Sequence, residues 1–272
     1  MNDQQNEPTQ VNNEQPHEEI TRMVAPDAPK MGIVNRLINI FVSPVELMQN
    51  IKLHPVILVP LLTAILITLV AIPISTQLVE ISNRELTNIS IERYGMDVFG
   101  LTADADIYGD MDNGASTFTL VTSIATALFM PPFMSFISAL GLWILSKILR
   151  GSTTLGQMFS MYLHVYVLLA VASVLVSWLM VTTGNLLDVT SLAALLMPNG
   201  NISMFSFNML SYISIFNIWA TVLTYLGVKI INDISAVKAA IITAIAFIVG
   251  AIITAGLPML TFVMMDLAMT AM

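Results

Sequence analysis

The chain has 272 residues, of which 56% are hydrophobic and only 10% charged, a balance outside the range of soluble domains. A formal net charge of −8 argues against nucleic acid as a partner, and the absence of cysteine excludes structural disulfides and thiolate-bound metal. The length admits one membrane bundle with a short tail and leaves no room for a separate soluble enzyme.

Residues 1–30 are rich in Asn, Gln, Glu and Pro, with six acids against Arg22 and Lys30. Such a segment cannot bury enough apolar surface to offset its ordering entropy, so a disordered acidic tail is expected. It is too polar for a cleavable signal peptide, and the first span is expected to direct insertion.

From Gly32 the character changes. Ile33, Val34, Leu37, Ile38, Ile40 and Phe41 recur at near-helical spacing around Asn35, Arg36 and Asn39, the pattern of a helix in the membrane interface. Ser43-Pro44-Val45-Glu46 then reads as a helix start. Ser43 is placed to accept from orphan amides, Pro44 sits where no amide proton is needed, and Glu46 closes a capping box. With Val45, Leu47, Met48 and Ile51 it predicts a second short surface helix, so that residues 31–55 form an amphipathic collar.

Five runs without a fixed charge follow, at residues 53–79, 113–146, 151–187, 189–228 and 239–265. Each supplies the ~20 apolar residues that cross a ~30 Å hydrocarbon core as a helix. The fold class expected is an all-α integral membrane protein, a five-span helical bundle occupying residues 56–272. The spans are placed at about 56–79, 117–145, 158–181, 206–228 and 239–265. In the second, Pro131-Pro132 predicts a packing kink or a substrate-lining break. The third contains His164, the one ionisable residue deep in any run. The fourth carries Ser214, Asn217, Thr221 and Thr224 on one helical face. The fifth places Ala240, Ala244, Ala251 and Ala255 at spacings that allow close approach of another helix. Between spans three and four, Asp188 is expected to cap a short outer helix through Met197.

Orientation follows from the basic residues. The side holding the N-terminus carries Arg22, Lys30, Arg36, Lys52, Lys147, Arg150, Lys229 and Lys238, and the other side only Arg84 and Arg93. Cytoplasmic loops retain Lys and Arg, so a cytoplasmic N-terminus and an outer C-terminus are predicted.

Chemistry-bearing motifs are sparse. HExxH, GxSxG and P-loop signatures are absent, and His164 has no acidic partner in any run, so no catalytic residues, metal ligands or cofactor are expected. A bond from His164 to the Ser160 hydroxyl is the simpler account of that residue, and a proton or solute pathway the sharper one. The polar face of span four likewise reads as interhelical glue or as a hydrophilic path. The outer loop Asp104–Asp112 resembles a calcium loop, but Tyr108 takes a ligand position and Ala115 stands where the bidentate Glu belongs, which favours a solvated acidic loop. Asn88 and Asn201 open glycosylation triplets of the kind that arise by chance.

Several segments together resemble the Yip domain family, the Ypt-interacting membrane proteins, in its bacterial branch. Phe41-Val42-Ser43-Pro44-Val45-Glu46 is similar to the segment before its first span. Leu142-Trp143 through Lys147-Ile148-Leu149-Arg150-Gly151, then Gln157-Met158-Phe159-Ser160, resembles the loop between spans two and three. Phe216-Asn217-Ile218-Trp219 through Gly227-Val228-Lys229, then Ser235 and Lys238-Ala239-Ala240, resembles span four and the loop after it. The resemblance covers about residues 35–262. It implies five spans with a cytoplasmic N-terminus and no catalytic residues. Eukaryotic members bind Rab-type GTPases, but no residue signature here carries that binding.

Two functions are therefore weighed. One is a non-enzymatic scaffold or adaptor in the bacterial inner membrane, binding lipids or protein partners through a cytoplasmic surface of Ile33, Arg36, Leu37, Phe41, Lys52, Lys147 and Arg150. A second copy of the chain is a further candidate partner. The other is a small-solute transporter or channel using the Pro131-Pro132 break, His164 and the span-four face. An intramembrane enzyme has the least support.

Overall fold

The computed structural model describes residues 30–94, 112–184, 187–196 and 204–270. The acidic tail before Lys30, the 104–111 part of the calcium-like loop and the Asn201 triplet lie outside them. So does the side chain of Asn88.

Among the described residues the chain forms nine helices: α1 (Ile33–Asn39), α2 (Pro44–Leu53), α3 (Leu58–Tyr94), α4 (Asp112–Ile148), α5 (Leu155–Thr183), α6 (Leu192–Leu196), α7 (Met204–Tyr212), α8 (Ile215–Asn232) and α9 (Ala236–Thr270). Five of these are long and apolar enough to cross a membrane, over Leu58–Leu78, Leu120–Ile148, Leu155–Thr183, Ile215–Asn232 and Ala236–Gly256. The protein is an all-α, multi-span integral membrane protein.

Local chemistry accounts for most helix ends. Thr154 opens α5 with a capping box, its hydroxyl accepting from the Gln157 amide while Gln157 Oε1 accepts from the Thr154 amide at 2.9 Å. Gly184, at φ 65°, ends that helix in the left-handed conformation. Pro60 falls in the first turn of α3, where its missing amide proton costs no intrahelical bond. The start of α2 differs from expectation. Pro44 occupies the first turn, but the Ser43 hydroxyl makes no capping bond, so the preset φ of proline carries this helix start without the box.

Helix α5 is the hub, packed by α3, α4, α8 and α2, while α9 lies against α7 and α8 and meets α4 over a shorter stretch. The core combines Leu47, Met48 and Ile51 of α2 with Met161, Val165 and Leu168 of α5 and Leu223, Val228 and Ile231 of α8. The second collar helix is thus no surface helix. Its Leu47, Met48 and Ile51 are fully buried against the ends of α8 and α5, where they close the N-terminal end of the bundle. Gly227 permits this meeting, because a Cβ there would stand 2.6 Å from Met161 Cγ and 3.1 Å from Met48 Sδ.

Three expectations about the spans are corrected. Helix α4 runs unbroken through Pro131 and Pro132, which overturns the substrate-lining break and does not bear on the packing kink. The break falls instead in span four, between α7 and α8, where Ser214 pairs with Ser191 as an isolated antiparallel bridge. Leu192 N donates to Ile213 O at 2.8 Å and Ile215 N to Thr190 O at 3.2 Å, so the 190–192 segment satisfies the groups the break exposes. Asp188 accepts from the Thr190 amide and hydroxyl, capping the turn before α6 rather than the helix. On α9, Ala251 and Ala255 are buried as expected, but Ala240 and Ala244 face outward; Ala239, Ile242 and Thr243 hold the contact face.

Candidate functional site

The first group of candidate residues gathers at the N-terminal end of the bundle. Arg36 points inward and is 2% exposed. Its Nε donates to Met31 O at 3.2 Å, and its Nη2 donates to Asn50 Oδ1 at 2.5 Å and to His54 O at 3.0 Å. Burial pulls its pKa below the ordinary value, yet guanidinium remains charged at neutral pH. Arg36 therefore clamps α1 onto α2 and offers no charge to a leaflet, contrary to the surface role its sequence position suggested. Asn50 escaped notice in the sequence; an Asn between Met48 and Ile51 on the buried side of α2 is the signal that identifies it.

With α1 fixed in this way, Ile33 (57% exposed) and Phe41 (49% exposed) face outward together with Val34, Ile38 and Val42. Leu37 does not join them, since it is half-buried against the core. Lys52 is held by Asp233 at 2.5 Å, and its carbonyl accepts from Gln157 Nε2 at 2.8 Å. Lys147 sits 5.9 Å from the Trp143 ring centroid. Arg150 is exposed and adopts φ 65° at the end of α4. There Gly151 N bonds Ser146 O and Arg150 N bonds Lys147 O, a Schellman closure with arginine where glycine is usual.

The second group lies among the spans. His164 is buried, and its Nδ1 is 2.7 Å from the Ser160 carbonyl, not from the hydroxyl the spacing suggested. That hydroxyl reaches across to the first span, donating to Val56 O at 2.7 Å and accepting from Val56 N at 2.9 Å. A carbonyl only accepts, so His164 carries its proton on Nδ1, and Nε2 has no partner among the described residues. Ser214 is the N-cap of α8, accepting from Asn217 N at 3.2 Å. Asn217 donates to Tyr212 O at 2.9 Å, Thr221 to Asn217 O at 2.7 Å and Thr224 to Ala220 O at 2.8 Å. These side chains spend their donors on backbone carbonyls of their own helix or the turn before it.

Asn217, Thr221 and Thr224 nevertheless face a cavity of about 290 Å³ bounded by α4, α5, α7, α8 and α9. Tyr162, Ser138 and Thr243 also line it, none of them flagged by the sequence. They sit inside apolar runs where one hydroxyl carries no pattern of its own. A second cavity, of about 370 Å³ near Asp188 and Ser214, shares Leu169 and Asn217 with the first. Among the described residues no group of three His, Asp or Glu is placed to hold a metal ion. The arrangement offers surfaces and a cavity for binding.

Comparison with curated proteins and with solved structures finds no match. The Yip1 domain family model matches residues 38–257, a stretch that begins within α1 and takes in all five spans. A match over that much of the chain settles its kinship: the protein belongs to the Yip1 domain family.

Proposed function

We propose that the protein is a non-enzymatic adaptor of the Yip type in the bacterial inner membrane, with its N-terminal side in the cytoplasm. It binds protein or lipid partners through that side. The observation that carries this reading is the clamped collar. A buried arginine orders a seven-residue helix and the turn after it, and together they expose the apolar side chains of Ile33, Val34, Ile38, Phe41 and Val42. Arg150, Lys147 and Lys238 supply exposed positive charge on the same side. Eight basic residues on this side against two on the other support the orientation.

The test is replacement of Ile33 and Phe41 by Ser, leaving the half-buried Leu37 alone. Insertion and thermal stability should be retained, and co-purification of partners after mild detergent extraction should be lost. Undiminished co-purification from the doubly substituted protein would refute the collar as the contact surface.

A second reading, small-solute transport, is favoured by one specific observation. The helix break at Ile213–Ser214 lies beside two cavities that meet at Asn217, and discontinuous helices mark substrate sites in many transporters. Solute flux into liposomes that is equal with and without the collar would select this reading over the adaptor.

A further inference from the structure

The cavity among α4, α5, α7, α8 and α9 has a mouth that faces the bilayer. Ile137 of α4 and Ile245, Val249 and Ile253 of α9 line it, and all four are exposed at mid-span positions. In a membrane the medium at that level is lipid hydrocarbon, so what covers this mouth is a lipid chain. The volume is at the lower limit of ligand pockets, which run from about 300 Å³ upward.

Polar side chains line the cavity close to the rim that carries the basic residues. Thr243 lies five residues beyond Lys238, Thr224 five residues before Lys229, and Tyr162 five residues beyond Gln157. At 1.5 Å per residue each is about 7.5 Å below the polar rim, a level suited to the ester groups of a phospholipid. Below that level Val165, Leu169, Val249 and Ile253 supply apolar wall, interrupted by Ser138, Thr221 and Tyr212. Asn217, at the deep end, has its amide committed to the Tyr212 carbonyl. Thr243 is 4% exposed, and its hydroxyl has no partner among the described residues, a buried donor left for something that enters.

Charge continues the pattern upward. Lys147 ends α4 and Lys238 begins α9, the two helices that flank the mouth. Lys238 Nζ reaches Leu149 O at 3.3 Å and Lys147 Nζ reaches Gly151 O at 3.4 Å, so both ammonium groups stand at the same loop. Both side chains are exposed, and neither has a carboxylate partner among the described residues.

We propose that this crevice is a binding site for one anionic glycerophospholipid of the adjacent leaflet, its phosphate at Lys147 and Lys238, an ester carbonyl accepting from Thr243, and one acyl chain in the cavity. The site stands apart from the collar, and neither depends on the other.

The experiment uses the full chain, stripped of lipid in detergent and offered phosphatidylglycerol or phosphatidylcholine, with retained lipid counted by native mass spectrometry. Wild type should hold one phosphatidylglycerol per chain in preference to phosphatidylcholine. The double change Lys147→Gln and Lys238→Gln should cut that preference by roughly thirtyfold, as two cations near an anionic headgroup imply. Gly141 lines the cavity and an added Cβ there meets nothing within 4 Å, so Gly141→Leu should fill the space and abolish retention of both lipids without unfolding. Thr243→Val, nearly isosteric, should weaken retention while the melting temperature of the lipid-free protein stays unchanged. Equal retention of the two lipids by wild type overturns the proposal. So does undiminished phosphatidylglycerol retention in Gly141→Leu, which would mean annular lipid only.

Discussion

Replacing Arg36 by Ala tests whether the collar is a clamped element or a loose one. The guanidinium donates three hydrogen bonds, to Met31 O, Asn50 Oδ1 and His54 O, from a position 2% exposed. A hydrogen bond from a charged donor contributes about 1.5–3 kcal/mol net. Truncation also removes the cost of burying the charge, which offsets part of the sum, so a loss of about 3 kcal/mol is expected. That corresponds to roughly a hundredfold rise in local opening. Hydrogen exchange in detergent reads this directly, through the amides of Ile33–Asn39 and Pro44–Leu53. They should exchange faster by that factor in Arg36→Ala, while amides in the middle of α5 keep their rates. Arg36→Lys should recover only a fraction, because an ammonium on a single stem cannot span three acceptors. Unchanged exchange of α1 in Arg36→Ala would refute the clamp. Full recovery with Lys would show that charge, not the fork geometry, holds the helix.

Four further outcomes follow from the packing and the backbone. Ser160→Ala removes both bonds to Val56 and leaves that backbone unpaired at the entrance of α3; a loss of about 2 kcal/mol in detergent unfolding is expected. Gly227→Val should cost about 1–3 kcal/mol through overpacking against Met161 and Met48. Gly156→Ala, where a Cβ meets nothing within 4 Å, should be neutral or gain up to about 1 kcal/mol, and paired melting curves separate the two. Arg150→Gly should raise stability by roughly 1 kcal/mol, because it relieves a left-handed residue at φ 65°; a lower melting temperature would show that the arginine makes compensating contacts.

Much of the architecture was legible from hydropathy. Five uncharged runs give five spans because the bilayer imposes a minimum length that shorter or more polar segments cannot meet. What escaped was phase and interruption. Ser214, Asn217, Thr221 and Thr224 have the spacing of one helical face, yet Ser214 is a cap, and only the bridge from Ser191 makes its break affordable. Pro131-Pro132 carries the stronger local signal for a break and makes none: α4 stays helical through both, although Phe129, Phe133 and Ile137 around them are exposed. Composition made Arg36 a surface charge. Its inward turn depends on Asn50 and the His54 carbonyl, contacts of the folded chain that no periodicity encodes. The lipid-facing crevice was invisible for a related reason: its residues come from five helices, and each hydroxyl is unremarkable in its own.

The brevity of α8 bears on where in a membrane the protein is comfortable. Its 18 residues extend about 27 Å, against about 43 Å for the 29 residues of α5. At its N-terminal end stand the backbone pairings between 190–192 and 213–215. In a thin bilayer those peptide groups lie at the water boundary. A thicker one draws them into hydrocarbon, and α8 has no spare turn to follow. Hydrophobic mismatch costs a fraction of a kcal/mol per Å, enough to bias lateral position. Bilayer thickness thereby sets how deep the break between α7 and α8 lies, and a thicker bilayer would favour local thinning on that side.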